Sequence, residues 1–153
     1  MSTALPAALV SELSALLGAE GWRMDDGALE ANAQDNSWRR QRPAAVALPA
    51  DIEQVQALVR ACRTHGVALV ARGAGTGTTG AAVPLPGSLV LSFTRLDRIP
   101  EIRAGARCAV VQPGVLNGTL QQALAPHGLL RATDPTPPHH RRTRRNPPCN
   151  PGR

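Results

Sequence analysis

The stretch that decides the fold is LVARGAGTGTTGAAVPLPGSLVLSFTRLDRI, residues 69–99. It begins with a short apolar run that ends at Arg72, and four glycines follow within the next eight positions. They are Gly73, Gly75, Gly77 and Gly80. Glycine permits backbone conformations that other residues avoid, and it keeps side chains out of the way. A loop of this composition lets successive amide N–H groups converge on an anion.

The chain before this loop predicts a βαβ unit. AAVALP (44–49) and VALVAR (67–72) are apolar runs of strand length. Between them, Asp51 with Gln54 three positions later is typical of a helix start, and Gly66 ends the helix. The buried face of this helix is predicted to hold Ile52, Val55, Leu58, Val59 and Cys62. Strands joined in this way run parallel with a right-handed crossover, so the glycine loop follows the carboxyl end of a parallel strand, where α/β folds bind ligands.

Two familiar nucleotide motifs fail at this loop. Residues 75–80 spell GxGxxG, and Asp97 lies 20 residues beyond Gly77, as in a Rossmann fingerprint. That fingerprint must open a helix, which Pro84 and Pro86 prevent. A Walker A motif needs a lysine, and the sequence contains none. A loop that grips a pyrophosphate through its amides is the favoured interpretation, and a Gly/Thr surface loop without a ligand is the alternative.

Other segments have simpler patterns. Residues 6–17 predict an amphipathic helix, and 25–42 a polar connecting segment. Beyond the loop, 88–93 and 104–114 predict strands, and 116–128 predicts a helix. One face of that last helix holds Leu116, Leu120 and Leu124.

The whole chain carries 17 Lys+Arg against 11 Asp+Glu. Its excess of positive charge is concentrated at the C-terminal end. Residues 131–153 hold six arginines and a single acid, Asp134. A small basic protein that binds nucleic acid through this tail is therefore the alternative function, although the tail has no aromatic residue for base stacking. Cys62, Cys108 and Cys149 show neither metal-ligand nor disulfide spacing, so no metal site is predicted. Without an apolar run long enough to cross a bilayer, a cytoplasmic location is expected.

Several motifs in a fixed order resemble the FAD-linked oxidases of the vanillyl-alcohol oxidase superfamily. They are ARGAGTGTTGAAVP, LVLSFTRLDRI, AVVQPGVLNGTLQQALAPHGLL and DPT, and the resemblance covers about residues 30–136. Its nearest group is that of the glycolate oxidase D subunit, D-lactate dehydrogenase and D-2-hydroxyglutarate dehydrogenase. It implies an α/β (α+β) fold, the N-terminal part of a two-subdomain PCMH-type FAD-binding fold. It also implies oxidation of a 2-hydroxy acid, such as glycolate or D-lactate, to the 2-oxo acid.

The resemblance also implies which residues hold FAD. The pyrophosphate is assigned to Arg72, Gly73, Ala74, Gly75, Thr76 and Gly77, with Gly80 shaping the turn. Further flavin-proximal positions are Gln112, Pro113, Gly114, Asp134, Pro135 and Thr136. Thr76 stands where some relatives carry a histidine that attaches FAD, so noncovalent FAD is implied. No catalytic base is assigned, and His65, His127 and His139 are not promoted to that role.

The resemblance ends near residue 136, where relatives continue into a Thr-Ile-Gly-Gly motif and a substrate domain. We expect a helix and connecting segment at 1–40, an incomplete PCMH-type FAD-binding domain at 41–136, and a disordered Arg/Pro-rich tail at 137–153. With suitable codons, the DNA that encodes His-His-Arg-Arg at 139–142 would encode Thr-Ile-Gly-Gly if it were read one nucleotide later. This suggests frameshifted coding sequence. The chain is thus expected to be a truncated flavoenzyme that carries little flavin and is inactive alone. Other oxidase subunits are the further expected partners.

Overall fold

The computed structural model describes residues 4–130, in which short strands alternate with helices. The α-helices are α1 (Ala7–Leu17), α2 (Asp26–Ala31), α3 (Ile52–Thr64) and α4 (Asn117–Leu124). The strands are β1 (Trp22–Arg23), β2 (Ala45–Ala47), β3 (Leu69–Arg72), β4 (Leu89–Ser92), β5 (Glu101–Arg103) and β6 (Cys108–Val110). This mixture confirms the predicted α/β class, while the predicted disordered tail lies outside the described residues. Within residues 4–130, no helix combines the length and the apolar character needed to cross a membrane.

The chain divides into two compact units, one up to Arg95 and one from Leu96 onward. The first unit contains a four-stranded sheet in the order β1-β2-β4-β3. β2 and β3 each pair in parallel with β4, so that Val46 and Val70 both lie opposite Val90. β1 adds an antiparallel edge to β2. The two strands of the predicted βαβ unit are therefore parallel, and β4 lies between them.

The helices of the first unit begin and end close to their predicted positions. α1 buries three leucines spaced four residues apart, which confirms the amphipathic helix expected at 6–17. At the start of α3, the Asp51 carboxylate accepts the N–H of Gln54 at 2.7 Å. The Gln54 side-chain carbonyl accepts the N–H of Ala50 at 2.8 Å. This is a capping box in which the return bond reaches the residue before the cap.

The buried face of α3 is narrower than the sequence pattern predicts. Leu58 and Cys62 are buried and Val55 is half-buried, but Ile52 and Val59 are exposed. Ile52 and Val59 are seven residues apart, nearly two helical turns, so they share one stripe. That stripe is rotated away from the Leu58–Cys62 stripe. α3 packs against α1, and its contacts bury the Leu58–Cys62 stripe while the Ile52–Val59 stripe stays exposed.

The segment at 25–42, predicted to be a connection, has structure of its own. α2 begins where the Asp25 carboxylate accepts the N–H of Ala28 at 2.9 Å. After α2 the chain folds back, and Gln41 donates its N–H to the carbonyl of Ala33 at 2.9 Å. A helix of six residues with no buried side chain leaves little periodicity in the sequence, which is why the pattern missed it.

β3 and β4 are joined by residues 73–88, which form bends and turns but no helix. Parallel strands are usually connected through a helix, so a direct loop between neighbours is uncommon. Pro84 and Pro86 lie in this connection. Its irregular course agrees with the exclusion of a Rossmann fingerprint, because the glycine loop opens no helix.

The second unit consists of a β5–β6 hairpin and α4. The single strand predicted over 104–114 is wrong, because residues 104–106 form a 3₁₀ turn and Arg107 adopts a left-handed φ of +49°. Only β6 of that stretch is strand, and it pairs with β5, which the pattern did not indicate. On α4 the predicted apolar face is confirmed at Leu120 and Leu124, while Leu116 is half-buried. The core of this unit comprises Val115, Leu120 and Leu124, flanked by Ile99, Ile102, Ala109, Val111 and Leu129.

Candidate functional site

The glycine loop leaves the first sheet from the edge where its three parallel strands end. Arg72 is the last residue of β3 and lies opposite Ser92, the last residue of β4. Ala47 ends β2 opposite Leu91. Open α/β sheets bind ligands in the crevice beyond the carboxyl ends of their strands. The topology therefore favours this edge as the ligand-binding edge of the first unit.

The backbone of the loop presents a row of hydrogen-bond donors. From Gly73 to Thr79, no amide N–H donates to an acceptor within residues 4–130. These residues are half-buried or exposed, so their amides are open to a ligand or to water. The loop closes at Gly80, whose carbonyl accepts the N–H of Val83 at 3.1 Å. Most backbone amides in folded proteins are paired, and successive unpaired ones form a concavity that binds anions.

Two of the loop glycines are required by the backbone itself. Gly75 has a φ of +69° and Gly80 a φ of +80°, in the left-handed region that other residues rarely adopt. A Cβ on Gly75 would lie only 2.3 Å from Nη2 of Arg72. A Cβ on Gly80 would lie 3.3 Å from Cδ of Arg39. At position 75, both conformation and space exclude a side chain.

The Arg72 side chain turns into the protein beneath the loop. Its guanidinium donates to the backbone carbonyls of Gln34 at 2.7 Å and Ala82 at 3.2 Å, and to that of Ala31 at 3.4 Å. Burial lowers the pKa of this guanidinium, and the nearby Asp35 carboxylate opposes that effect. The sequence resemblance assigned Arg72 to the pyrophosphate. The structure adds that its guanidinium is bound to three carbonyl oxygens.

Asp35 is the residue of this region that sequence reasoning missed. It is 3% exposed, and one carboxylate oxygen accepts the N–H of Ser37 at 2.9 Å. Burial raises the pKa of the Asp35 carboxyl, but hydrogen bonds from Ser37 and Ala82 and the charge of Arg72 outweigh burial and hold it below its usual value. An Asp two residues before a Ser is a common Asx-turn pattern, and that was the one available signal.

The second predicted flavin-proximal segment lies in the second unit and is held by backbone pairing. Gln112 donates its N–H to the carbonyl of Arg98, and its side-chain carbonyl accepts the Arg98 N–H, both at 2.9 Å. Gly114 donates its N–H to Leu96 at 2.7 Å. Pro113 lies between these two anchored residues. The segment thus has a fixed backbone within its own unit.

The other predicted flavin-proximal residues and two of the histidines lie apart from the glycine loop in the sequence. Asp134, Pro135 and Thr136 lie outside the described residues. His65 lies 3.2 Å from a carboxylate oxygen of Glu12. His127 is exposed in the 3₁₀ turn that follows α4.

Comparison with known sequences gives a consistent result. Residues 43–138 match the family described as FAD binding domain. Glycolate oxidase subunit GlcD of Escherichia coli is 45% identical over 97 residues, which cover 63% of this chain and 19% of that protein. D-2-hydroxyglutarate dehydrogenase of Stutzerimonas stutzeri is 39% identical over 130 residues, covering 83% of this chain and 28% of that enzyme. These relatives are named as an oxidase subunit and a dehydrogenase, and the matches give no support to the nucleic-acid alternative. The chain spans less than a third of the length of these relatives.

Solved structures show the same fold. Alkyldihydroxyacetonephosphate synthase aligns with a TM-score of 0.81 at 20% identity, over 90% of this chain and 30% of that one. The 4-ethylphenol oxidase of Gulosibacter chungangensis aligns with a TM-score of 0.71 at 30% identity, over 81% of this chain and 26% of that one. The predicted PCMH-type fold is thereby confirmed.

Proposed function

Since this chain belongs to the FAD binding domain family, we propose that its glycine loop binds the pyrophosphate of FAD through backbone amides. The observation that carries the proposal is the run of amides from Gly73 to Thr79 with no acceptor within residues 4–130. A pyrophosphate offers several anionic oxygens close together, which suits a row of converging N–H donors. Bound FAD would supply acceptance of a hydride equivalent from the substrate.

The residues of the loop fit this cofactor in shape as well as in donor chemistry. Gly75 and Gly80 keep the backbone in left-handed conformations and leave it bare. The proposed pyrophosphate site comprises the backbone of Gly73, Ala74, Gly75, Thr76 and Gly77, with Arg72 at the base of the loop and Gly80 at the turn. Hydroxyls of Thr76, Thr78 and Thr79 add donors. The proposal includes noncovalent binding, because residues 72–80 contain no histidine, cysteine or tyrosine that could bond to the flavin.

Two segments outside the loop are proposed as flavin-proximal from the sequence resemblance. The first is Gln112, Pro113 and Gly114, whose backbone is hydrogen-bonded within the second unit. Asp134, Pro135 and Thr136 remain proposed on the sequence resemblance alone. No catalytic base is placed among these residues.

We further propose that the reaction served is oxidation of a 2-hydroxy acid, such as glycolate or D-lactate, to the 2-oxo acid. Support comes from relatives named as glycolate oxidase subunit GlcD and D-2-hydroxyglutarate dehydrogenase. Because the chain spans only 19% and 28% of those proteins, the contribution assigned to it is cofactor binding. Association with further oxidase subunits and a cytoplasmic location stay predictions.

Flavin binding to the full 153-residue chain tests the proposal. The measurement is quenching of flavin fluorescence by the chain, with FAD compared with riboflavin, which has the same ring and no phosphate. We expect FAD to bind at least about tenfold more tightly, a difference of about 1.4 kcal/mol. ADP, which keeps the pyrophosphate and lacks the flavin ring, should compete. Equal affinity for FAD and riboflavin, or no competition by ADP, would contradict the proposal.

A further inference from the structure

The Arg72 side chain connects the two ends of the glycine loop. Arg72 is the residue from which the loop departs, and Ala82 lies just beyond its close. One guanidinium nitrogen donates to the Ala82 carbonyl at 3.2 Å. The other terminal nitrogen donates to Ala31, the last residue of α2, at 3.4 Å and to Gln34, three residues after it, at 2.7 Å. A single side chain thus connects the start of the loop to its end and to the neighbouring backbone at Ala31 and Gln34.

The same guanidinium lies in direct contact with the loop backbone at Gly75. A Cβ there would be 2.3 Å from Nη2 and 2.7 Å from Cζ of Arg72. The guanidinium therefore occupies the space that a side chain at position 75 would need. Hydrogen bonds to three backbone carbonyls hold the guanidinium in this place against the loop.

A carboxylate lies near the buried charge of Arg72. Arg72 is 6% exposed and Asp35 is 3% exposed. The two groups are close enough for each to stabilise the charged form of the other, although hydrogen bonding lowers the pKa of the Asp35 carboxyl more than the charge of Arg72 does. The bonds of the Arg72 guanidinium to three backbone carbonyls occupy N–H donors that a ligand would otherwise use.

We propose that Arg72 is a positioning residue, which holds the glycine loop closed through three backbone carbonyls and so presents the loop amides to the pyrophosphate without touching it. The inference rests on the proposed function, since it assigns a role within the same FAD site. Arginine suits this role because its planar fork places N–H donors in several fixed directions. A lysine at this position keeps the charge but replaces the fork with a single ammonium group.

The test compares Arg72→Lys with the unchanged chain by FAD titration and by amide and guanidinium ¹⁵N resonances. A side chain that contacts phosphate by charge tolerates lysine, which is itself a common phosphate ligand. A guanidinium that positions the loop through several hydrogen bonds does not tolerate this replacement. We expect Arg72→Lys to weaken FAD binding about tenfold and to broaden the amide signals of 73–80 before any FAD is added. Arg95→Lys is the matched control. Like Arg72, Arg95 donates to a backbone carbonyl, that of Leu48 at 3.2 Å, but Arg95 is exposed and, within the described residues, makes one such bond rather than three.

A second measurement needs no variant and therefore holds even if Arg72→Lys folds poorly. In the unchanged chain, FAD should shift the amide resonances of 73–79 and leave the guanidinium resonances of Arg72 in place. Guanidinium signals that move together with the amides, or an Arg72→Lys affinity within about twofold of the unchanged chain, would overturn the inference. If no loop amide shifts while the guanidinium does, both the inference and the amide-based pyrophosphate site are wrong. If neither shifts but Arg72→Lys still broadens the loop, loop closure by Arg72 holds and the pyrophosphate site alone fails.

Discussion

At the scale of single residues, the glycine loop depends on Arg72 and Asp35, and the sequence pattern does not show that these two residues lie close together. Gly75 is bare because the Arg72 guanidinium lies against its backbone. The nearby Asp35 carboxylate favours the charged form of Arg72 and opposes the effect of burial. The sequence predicts the glycines, since four within eight residues is conspicuous. It does not predict that Asp35 lies near Arg72, because nothing in a linear pattern relates positions 37 residues apart.

Replacement of Gly75 by alanine should cost more than its conformation alone explains. Gly66, at the end of α3, is the matched control, because its φ of +65° is close to the +69° of Gly75 and nothing lies within 4 Å of its Cβ position. Gly66→Ala should cost about 1–2 kcal/mol of unfolding free energy, the cost of a left-handed alanine. Gly75→Ala should cost about 2 kcal/mol more, because Arg72 must move. Urea denaturation checks both, and equal losses would show that Arg72 does not pack beneath the loop.

The Asp35 carboxylate should make stability depend on acid pH. Its folded pKa is held below the usual value of about 3.9, so folding favours the charged form. This contribution is complete above about pH 4 and is lost as the pH falls through the folded pKa. Asp35→Asn should therefore destabilise the chain at pH 7 by about 1–3 kcal/mol, with a smaller difference at pH 3. Unfolding free energies measured at both values would contradict this if the difference grew towards acid pH.

At the scale of elements, short apolar runs bounded by clear stop signals were predictable. β2, α3, β3 and β4 all lie where the pattern placed them. The wrong or missing predictions concern elements without a hydrophobic period, or elements whose pairing partner the sequence pattern does not show. α2 buries nothing, β5 has only three residues, and β6 was merged with a turn that departs from extended geometry at Arg107. Pairing with a neighbour defines such elements, and a linear pattern contains no information about the neighbour.

The corrected face of α3 gives a prediction at this scale. Leu58 is fully buried, whereas Ile52 is 61% exposed. Leu58→Ala should cost about 2–5 kcal/mol, since it leaves a cavity in the core. Ile52→Ala on the same helix should change the unfolding free energy by no more than about 0.5 kcal/mol, as for other surface positions. Thermal or urea unfolding of both variants distinguishes the structural face from the broader sequence-predicted face, on which the two losses would be similar.

At the scale of the whole molecule, the fold family and cofactor were predictable because several motifs occur in a fixed order. Residues 43–138 match the FAD binding domain family. The division into units at Arg95 and Leu96 was not predictable, since no change in composition marks it. The start of the FAD-binding domain near residue 41 stays a prediction, and β1, which precedes it, joins the same sheet as β2.

An ¹⁵N-resolved amide titration of the full chain with FAD shows whether the amides of residues 73–79 hold the pyrophosphate. We expect the largest shifts at Gly73 to Thr79, and we expect ADP but not riboflavin to reproduce them. Shifts that spare this loop, or that riboflavin reproduces in full, would contradict pyrophosphate binding by these amides.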